Sequence, residues 1–315
     1  MTRMLFIRLA WAVPILFGVS LVAFVLVRAL PGDFADILVG TSGNVSKETL
    51  EAVRSNNGLD LPLWAQYVHW LTGAFQGNLG TSFVTSKPVT SELFPRLAVT
   101  AELTLIAAVF AGVLGATTGT LSARLRGRTD WVVRGVNGLF TAVPNFVVAT
   151  LIVLLVGLYA PQLSIFGYTS FFVDPLANIG SLLLPALALG LGISATISEN
   201  ARAALLEVSS QDFVMVAKAK GLRPSTILGR YLMKNAITPV ITVAGLEYAQ
   251  LLGGSIVIES IFNVPGMGQY LFDSVTSRDY PVIQAIVVLV ALVVVLVNAA
   301  VDIAYAKVDA RVSYE

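Results

Sequence analysis

A chain of 315 residues that is 56% hydrophobic and 12% charged carries about half the charge of an ordinary soluble domain, which excludes a water-soluble globule. Its net charge of +1 is uninformative as a total and gives no reason to expect a nucleic-acid partner. With no Cys in the sequence, disulfides, a thiol nucleophile and Cys-ligated metals are excluded as well.

A membrane-crossing helix needs about 20 mostly apolar residues. Windows of that length bounded by charge or by Gly/Pro loops fall at Leu9–Leu30, Ala98–Leu121, Val136–Tyr159, Leu182–Glu199, Ile237–Ile258 and Pro281–Ala304. The sequence therefore predicts an all-α polytopic membrane protein with six transmembrane helices. The third window has a second possible start near Pro144, and the fourth is short. The first follows Arg3 and Arg8 like a signal peptide, but its apolar run is too long and "RALPGD" offers no small-x-small cleavage site, so it reads as an uncleaved helix.

Six spans put both termini on one side. That side holds Arg3, Arg8, Arg124, Arg126, Arg128, Arg134, the bases from Arg202 to Lys234, Lys307 and Arg311, which are 14 of the 20 Lys and Arg residues. The positive-inside rule then makes the termini cytoplasmic.

In chain order the expected organisation is a first transmembrane helix at 1–30 and an extracytoplasmic helical segment at 31–96. A five-helix membrane core at 97–304 follows, with a cytoplasmic loop at 201–236, and then a tail at 305–315. In the outer segment, Ser46 can cap a helix that stops at Asn56-Asn57-Gly58. Pro62 then opens a helix with Leu63, Tyr67, Trp70, Leu71 and Phe75 on one face, suited to packing or to an interfacial aromatic belt. Gly112, Gly115 and Gly119 in the second span would permit close helix packing.

The loop is the most informative stretch. "DFVMVAKAKGLRPSTILGRYLMKNAITP", residues 212–239, carries five bases and one acid. It reads as a short helix ended by Gly221, a turn, and a second helix begun by Pro224 and leading into the next span. Phe213, Val214, Val216, Ala217 and Ala219 are small or apolar beside Lys218 and Lys220. Such a helix can anchor in a partner's groove or lie on anionic lipid.

"VAKAKGL" followed by "KNAITPV", with Gly221 and Pro239 18 residues apart, resembles the coupling region of ABC-transporter permeases of the dipeptide and oligopeptide importer family. Further matches are "LGTSF" at 79–83, "LLGGSIVIESIFNVPGMGQ" at 251–269, "RDYPVIQAIV" at 278–287 and "VNAAVDIAYAKVDAR" at 297–311. The resemblance implies the type I importer permease (MetI-like) fold in a prokaryotic plasma membrane. It also implies a second permease subunit, two ABC ATPase subunits or a double ATPase, and an extracytoplasmic substrate-binding protein. ATPase coupling would fall to Asp212, Phe213, Val216, Ala217, Lys218, Ala219, Lys220, Gly221, Leu222 and Pro224. Peptide is the implied cargo, with nickel chelates, haem or glutathione as alternatives in related permeases. No G-x-x-x-x-G-K-[ST] pattern occurs, so no cofactor is expected on this chain, and ATP with Mg belongs to the partner ATPases.

Polar residues inside spans mark a candidate pathway or gate, since a mid-bilayer charge costs about 2.5–3.5 kcal/mol or more. Glu247, Gln250 and Gly254 fall on nearly one helical face that should look inward, lining a path or making helix-to-helix hydrogen bonds. Glu259 ends the same span, where it could serve an outer gate, with exposure to water as the expectation. Glu199 and Arg202 are one turn apart, and Asn298 and Asp302 share a face with Tyr305, so ion pairs could hold an inner gate.

Two other classes compete. A serine protease would need Ser42 of "GTSG" beside His69, the only histidine, and both lie in the outer segment. An ion-driven transporter would show inverted repeats and interrupted helices at matched positions, and neither is visible.

Overall fold

A computed structural model describes residues 2–29, 48, 51, 54–55, 58–125, 127–163 and 165–308, and within these helices the side chains of 2–9, 302 and 304–308 lie outside the description. The Ser46 helix start, the Asn56-Asn57 stop, Ser42, Arg126 and Arg311 fall outside the described residues.

The helices are α1 (Thr2–Ala29), α2 (Leu63–Phe75), α3 (Val89–Leu125), α4 (Gly127–Ala142), α5 (Asn145–Tyr159) and α6 (Pro175–Ser209). They continue as α7 (Asp212–Ala219), α8 (Pro224–Phe262), α9 (Met267–Thr276) and α10 (Tyr280–Val308). Five are long and apolar enough to cross a membrane: α1, α3, α6, α8 and α10. The sixth expected span is not straight. α4 and α5 meet at 100°, because Pro144 has no amide to continue the α4 hydrogen-bond ladder and is itself extended before α5.

Several helices outrun the apolar windows that predict them. The fourth window, Leu182–Glu199, lies inside a helix of 35 residues. Asp174 caps it, accepting from the amides of Leu176 and Ala177 at 3.0 Å each, and Pro175 takes the first-turn position where a missing donor costs nothing.

The chain forms two compact units. One gathers Thr2–Thr100 and Pro265–Val295. Its core joins Val89 and Leu93 of α3 to Met267 and Tyr270 of α9 and to Val282, Ala285 and Ile286 of α10. A second cluster sets Val27 of α1 against Tyr280 and Ile283. Asp279, buried before α10, accepts from Ser82 Oγ at 2.5 Å and from the Phe83 amide at 3.0 Å. Of the expected α2 stripe, Tyr67 is buried, with its hydroxyl 2.8 Å from Ser20 Oγ and its ring edge-on to Phe24. Leu63 and Phe75 stay exposed, so only the middle of the stripe packs within the chain.

The other unit gathers Ala101–Val264 and the residues from Leu296 onward. Here α3 lies against α6. A methyl group on Gly115 would sit 2.6 Å from the Ser194 carbonyl oxygen, and one on Gly119 would collide with the Ser198 carbonyl. These two glycines let the backbones touch, whereas Gly112 faces open space and does not contribute as expected.

Candidate coupling surface and pathway helix

α7 is eight residues long, too short to be stable alone. It is held by a small core in which Val214 and Ala217 are buried with Ile227 of α8, flanked by Leu222 and Leu232. Burying a valine contributes about 1.5–3 kcal/mol. Gly221 ends the helix at φ +70°, a conformation costly for any residue with a Cβ. Its amide donates to the Lys218 carbonyl at 2.9 Å, and the Leu222 amide donates to the Ala217 carbonyl at 3.3 Å. Arg223 is extended and Pro224 starts α8.

This arrangement splits the set of expected anchors. Val214 and Ala217 face inward and hold the loop together, so Ala217 is not an outward contact. Asp212, Phe213, Met215, Val216, Lys218, Ala219 and Lys220 are exposed, and Phe213, Met215 and Val216 are the large apolar residues of that outer face. The spacing of small residues identifies the helix, but the inward pair becomes visible only once Ile227 is in place.

The start of α8 is also unexpected. Ile227–Leu232 is π-helical before regular α-helix resumes at Met233. Leu232 packs against the α7 core and also against the cluster of Ala204, Leu205, Val208 and Ala236. It therefore touches α7, α6 and the body of α8 at once. A cavity of 520 Å³ opens beside it, lined in part by Arg124 of α3, Leu206 of α6 and Lys218 of α7.

The expected Glu199–Arg202 pair does not form. Glu199 is exposed, and Arg202 instead grips Asp130 of α4, Nε to Oδ1 at 2.6 Å and Nη2 to Oδ2 at 2.7 Å. Ser122 Oγ of α3 donates to the same carboxylate at 2.5 Å. Three helices are thus tied at one acid. Asp130 escapes the sequence reading although it is the one acid within a run of four arginines, Arg124 to Arg134.

Along α8, Glu247 is half-buried, Gln250 is exposed and Gly254 is half-buried. Within this chain the stripe is thus only partly covered. A methyl on Gly254 would come within 3.2 Å of Leu189 Cδ1 and 3.9 Å of Asn145 Nδ2, which places the amide of Asn145, unread from sequence, beside the stripe at the start of α5. Tyr248 OH is 3.5 Å from Thr104 Oγ1 of α3.

Glu259 overturns the expectation of exposure, with 0% of its surface accessible. Asn263 turns left-handed (φ 54°) and the Val264 amide donates back to the Glu259 carbonyl at 2.9 Å. Ile258, Phe262 and Val264 around it are equally buried. Asn298 is half-buried, and the side chain of Asp302 lies outside the described residues.

In the loop before α6, Tyr168 donates to Glu102 of α3 at 2.7 Å, and burial together with that carboxylate pushes its phenol up to about 12. Asn178 donates to Glu102 at 3.3 Å and to the Thr169 carbonyl at 2.8 Å, fixing the loop that precedes α6.

Long apolar helices with polar residues within them mark a multi-pass membrane protein. Residues 112–314 match the family described as binding-protein-dependent transport system inner membrane component, and residues 1–104 match its membrane-component N-terminal family. The chain belongs to this family.

A Brucella abortus protein, named as a peptide transport system permease, is 36% identical over 318 residues, covering 100% of both chains. The glutathione transport system permease protein of Escherichia coli K12 is 36% identical over 313 residues, 98% of each chain. Among solved structures, the MetNI methionine ABC transporter in inward-facing form has a TM-score of 0.61 at 18% identity, covering 71% of this chain and 100% of its own. An amino acid ABC transporter with histidines reaches 0.52 at 17% identity, covering 69% and 94%. The fold is that of ABC importer permeases.

Proposed function

We propose that this chain is one permease of an ATP-driven importer for short peptides or peptide-like compounds such as glutathione, and forms half of an alternating-access path with a second permease. The observation that carries the coupling role is the α7 joint. Its inner face is satisfied by Ile227, its outer face is uncovered, and Leu232 connects it to α6 and α8. A rigid knob with a free apolar face fits a groove on a partner protein better than a lipid surface, since basic residues and apolar anchors are mixed on it rather than separated.

In this reading two ATPase subunits bind below, hold ATP and Mg, and close together on ATP binding. Movement enters at α7, passes through Leu232, and turns the path outward to receive cargo from an external binding protein. The joint and both termini are cytoplasmic and the membrane is the prokaryotic plasma membrane, as the distribution of Lys and Arg supports. Residues 1–30, 31–96, 97–304 and 305–315 act as anchor, outer segment, permease core and tail. Glu247, Gln250 and Gly254 line the path, and Asn298 and Asp302 act at its inner end.

Cargo is peptide-like because relatives matching along their whole length are named for peptide and for glutathione transport. The test is uptake by the complete complex in proteoliposomes, with dialanine and glutathione each offered with ATP. ATP-dependent accumulation of either supports the proposal. Accumulation driven by an ion gradient without ATP would falsify it.

A further inference from the structure

Beside the C-terminal end of α1, the unit of Thr2–Thr100 and Pro265–Val295 contains a cavity of 450 Å³. Three buried donors that belong to its lining residues have no acceptor: Arg28 Nη1, Trp70 Nε1 and Gln284 Nε2. Leaving a buried donor unpaired costs about 1–3 kcal/mol, so such groups are uncommon in folded proteins. The residues that carry them come from three helices, α1, α2 and α10, and line one space.

Each is held in place. Arg28 Nε donates to Gln66 Oε1 at 2.8 Å, and its guanidinium lies 3.8 Å above the Phe24 ring and 5.3 Å from that of Tyr280. Trp70 stacks on Tyr67 with centroids 6.5 Å apart. Gln284 is 1% exposed. The volume is in the range of small-molecule sites, roughly 300–1,000 Å³. One water offers two lone pairs, while a carboxylate offers about four and complements a guanidinium.

We propose that this cavity binds the oxyanion group of a small molecule, a carboxylate above all, with Arg28 supplying the charge and Trp70 and Gln284 the further hydrogen bonds. The site stands independently of the α7 joint and of the transported cargo. A free oxyanion and the carboxyl group of a peptide would use the same donors.

Isothermal titration of the purified full-length chain in lipid nanodiscs, with acetate, inorganic phosphate, dialanine and dialanine amide, tests it. Saturable binding of at least one oxyanion is expected. Arg28→Gln should weaken it at least about tenfold, the worth of a hydrogen bond between charged groups. Trp70→Phe keeps the ring, removes only the donor, and should cost about three- to tenfold. Gln284→Glu adds a like charge and should also cost at least about tenfold, which covers the case in which Arg28→Gln does not fold. Dialanine binding at least about tenfold tighter than acetate and than its amide assigns the site to peptide carboxylates. Acetate or phosphate binding as tightly assigns it to free oxyanions. No saturable oxyanion binding, equal binding of dialanine and its amide with none of acetate or phosphate, or binding unchanged in the folded variants overturns the proposal. Loss of peptide uptake by the whole complex would count against the cargo reading and leave this result untouched.

Discussion

The guanidinium of Arg202 holds both carboxylate oxygens of Asp130, at 2.6 and 2.7 Å, across 72 residues of chain. With Ser122 on the same acid, the pair joins α3, α4 and α6 at the first turn of α4. Removing one partner strands the other, so the double substitution should cost less than the sum of the two single ones. Melting of Asp130→Ala, Arg202→Ala and the double variant in detergent checks this. The double variant should melt no lower than the worse single one, and simple additivity would show that the pair contributes nothing specific.

Close contact between α3 and α6 makes its own prediction. Gly115→Ala drives a methyl against the Ser194 carbonyl and Gly119→Ala drives one against Ser198, and overpacking of this kind costs about 1–3 kcal/mol. Gly112→Ala meets nothing within 4 Å and should stay within about 0.5 kcal/mol of the parent. Reversible unfolding in mixed micelles ranks the three; alanine is the better helix former, so an equal loss at Gly112 would show that contact with α6 does not set the cost.

On α7 the two faces should fail differently. Val214→Asp buries an unpaired charge beside Ile227, so faster hydrogen exchange across 212–232 is expected whether or not a partner is present. Val216→Glu changes an exposed position and should leave exchange unaltered while lowering ATP-driven uptake by at least about tenfold, as losing an interface anchor of 1.4 kcal/mol or more would. Full uptake in Val216→Glu would remove this face from the coupling surface.

At Glu259 the volume and the polar atoms can be separated. Glu259→Gln keeps the shape in a fully buried position, whereas Glu259→Ala leaves a void as well as losing the carboxyl group. The alanine variant should melt clearly below the glutamine one, and equal melting points would mean that the side chain has room to relax.

Sequence was informative where a single element carries its own signal. Apolar runs locate the crossing helices because length and hydropathy are local. Gly221 and Pro224 locate the α7 turn because glycine admits the left-handed φ there and proline fixes its own φ. Pro144 marks the break in the third span, although the angle between its arms depends on what each arm packs against. The partner of Arg202 was not legible, since nothing local distinguishes Glu199, one turn away, from Asp130, on another helix. Glu259 was misread for a related reason. A polar residue at the end of an apolar run reads as solvent-facing, and only the left-handed turn at Asn263 folds the chain back over it.

The π turn at Ile227–Leu232 gives α8 one residue more than α-helical winding would use over the same axial length. The part of the helix that meets α7 is therefore out of phase with the part beyond Met233 by about 100°, one residue's rotation. Rewinding that turn into α-helix would swing Ile227 away from Val214 and Ala217, and the joint would lose its inner packing unless α7 rotated with it. The π turn thus sets the rotation at which α8 presents Ile227 to α7.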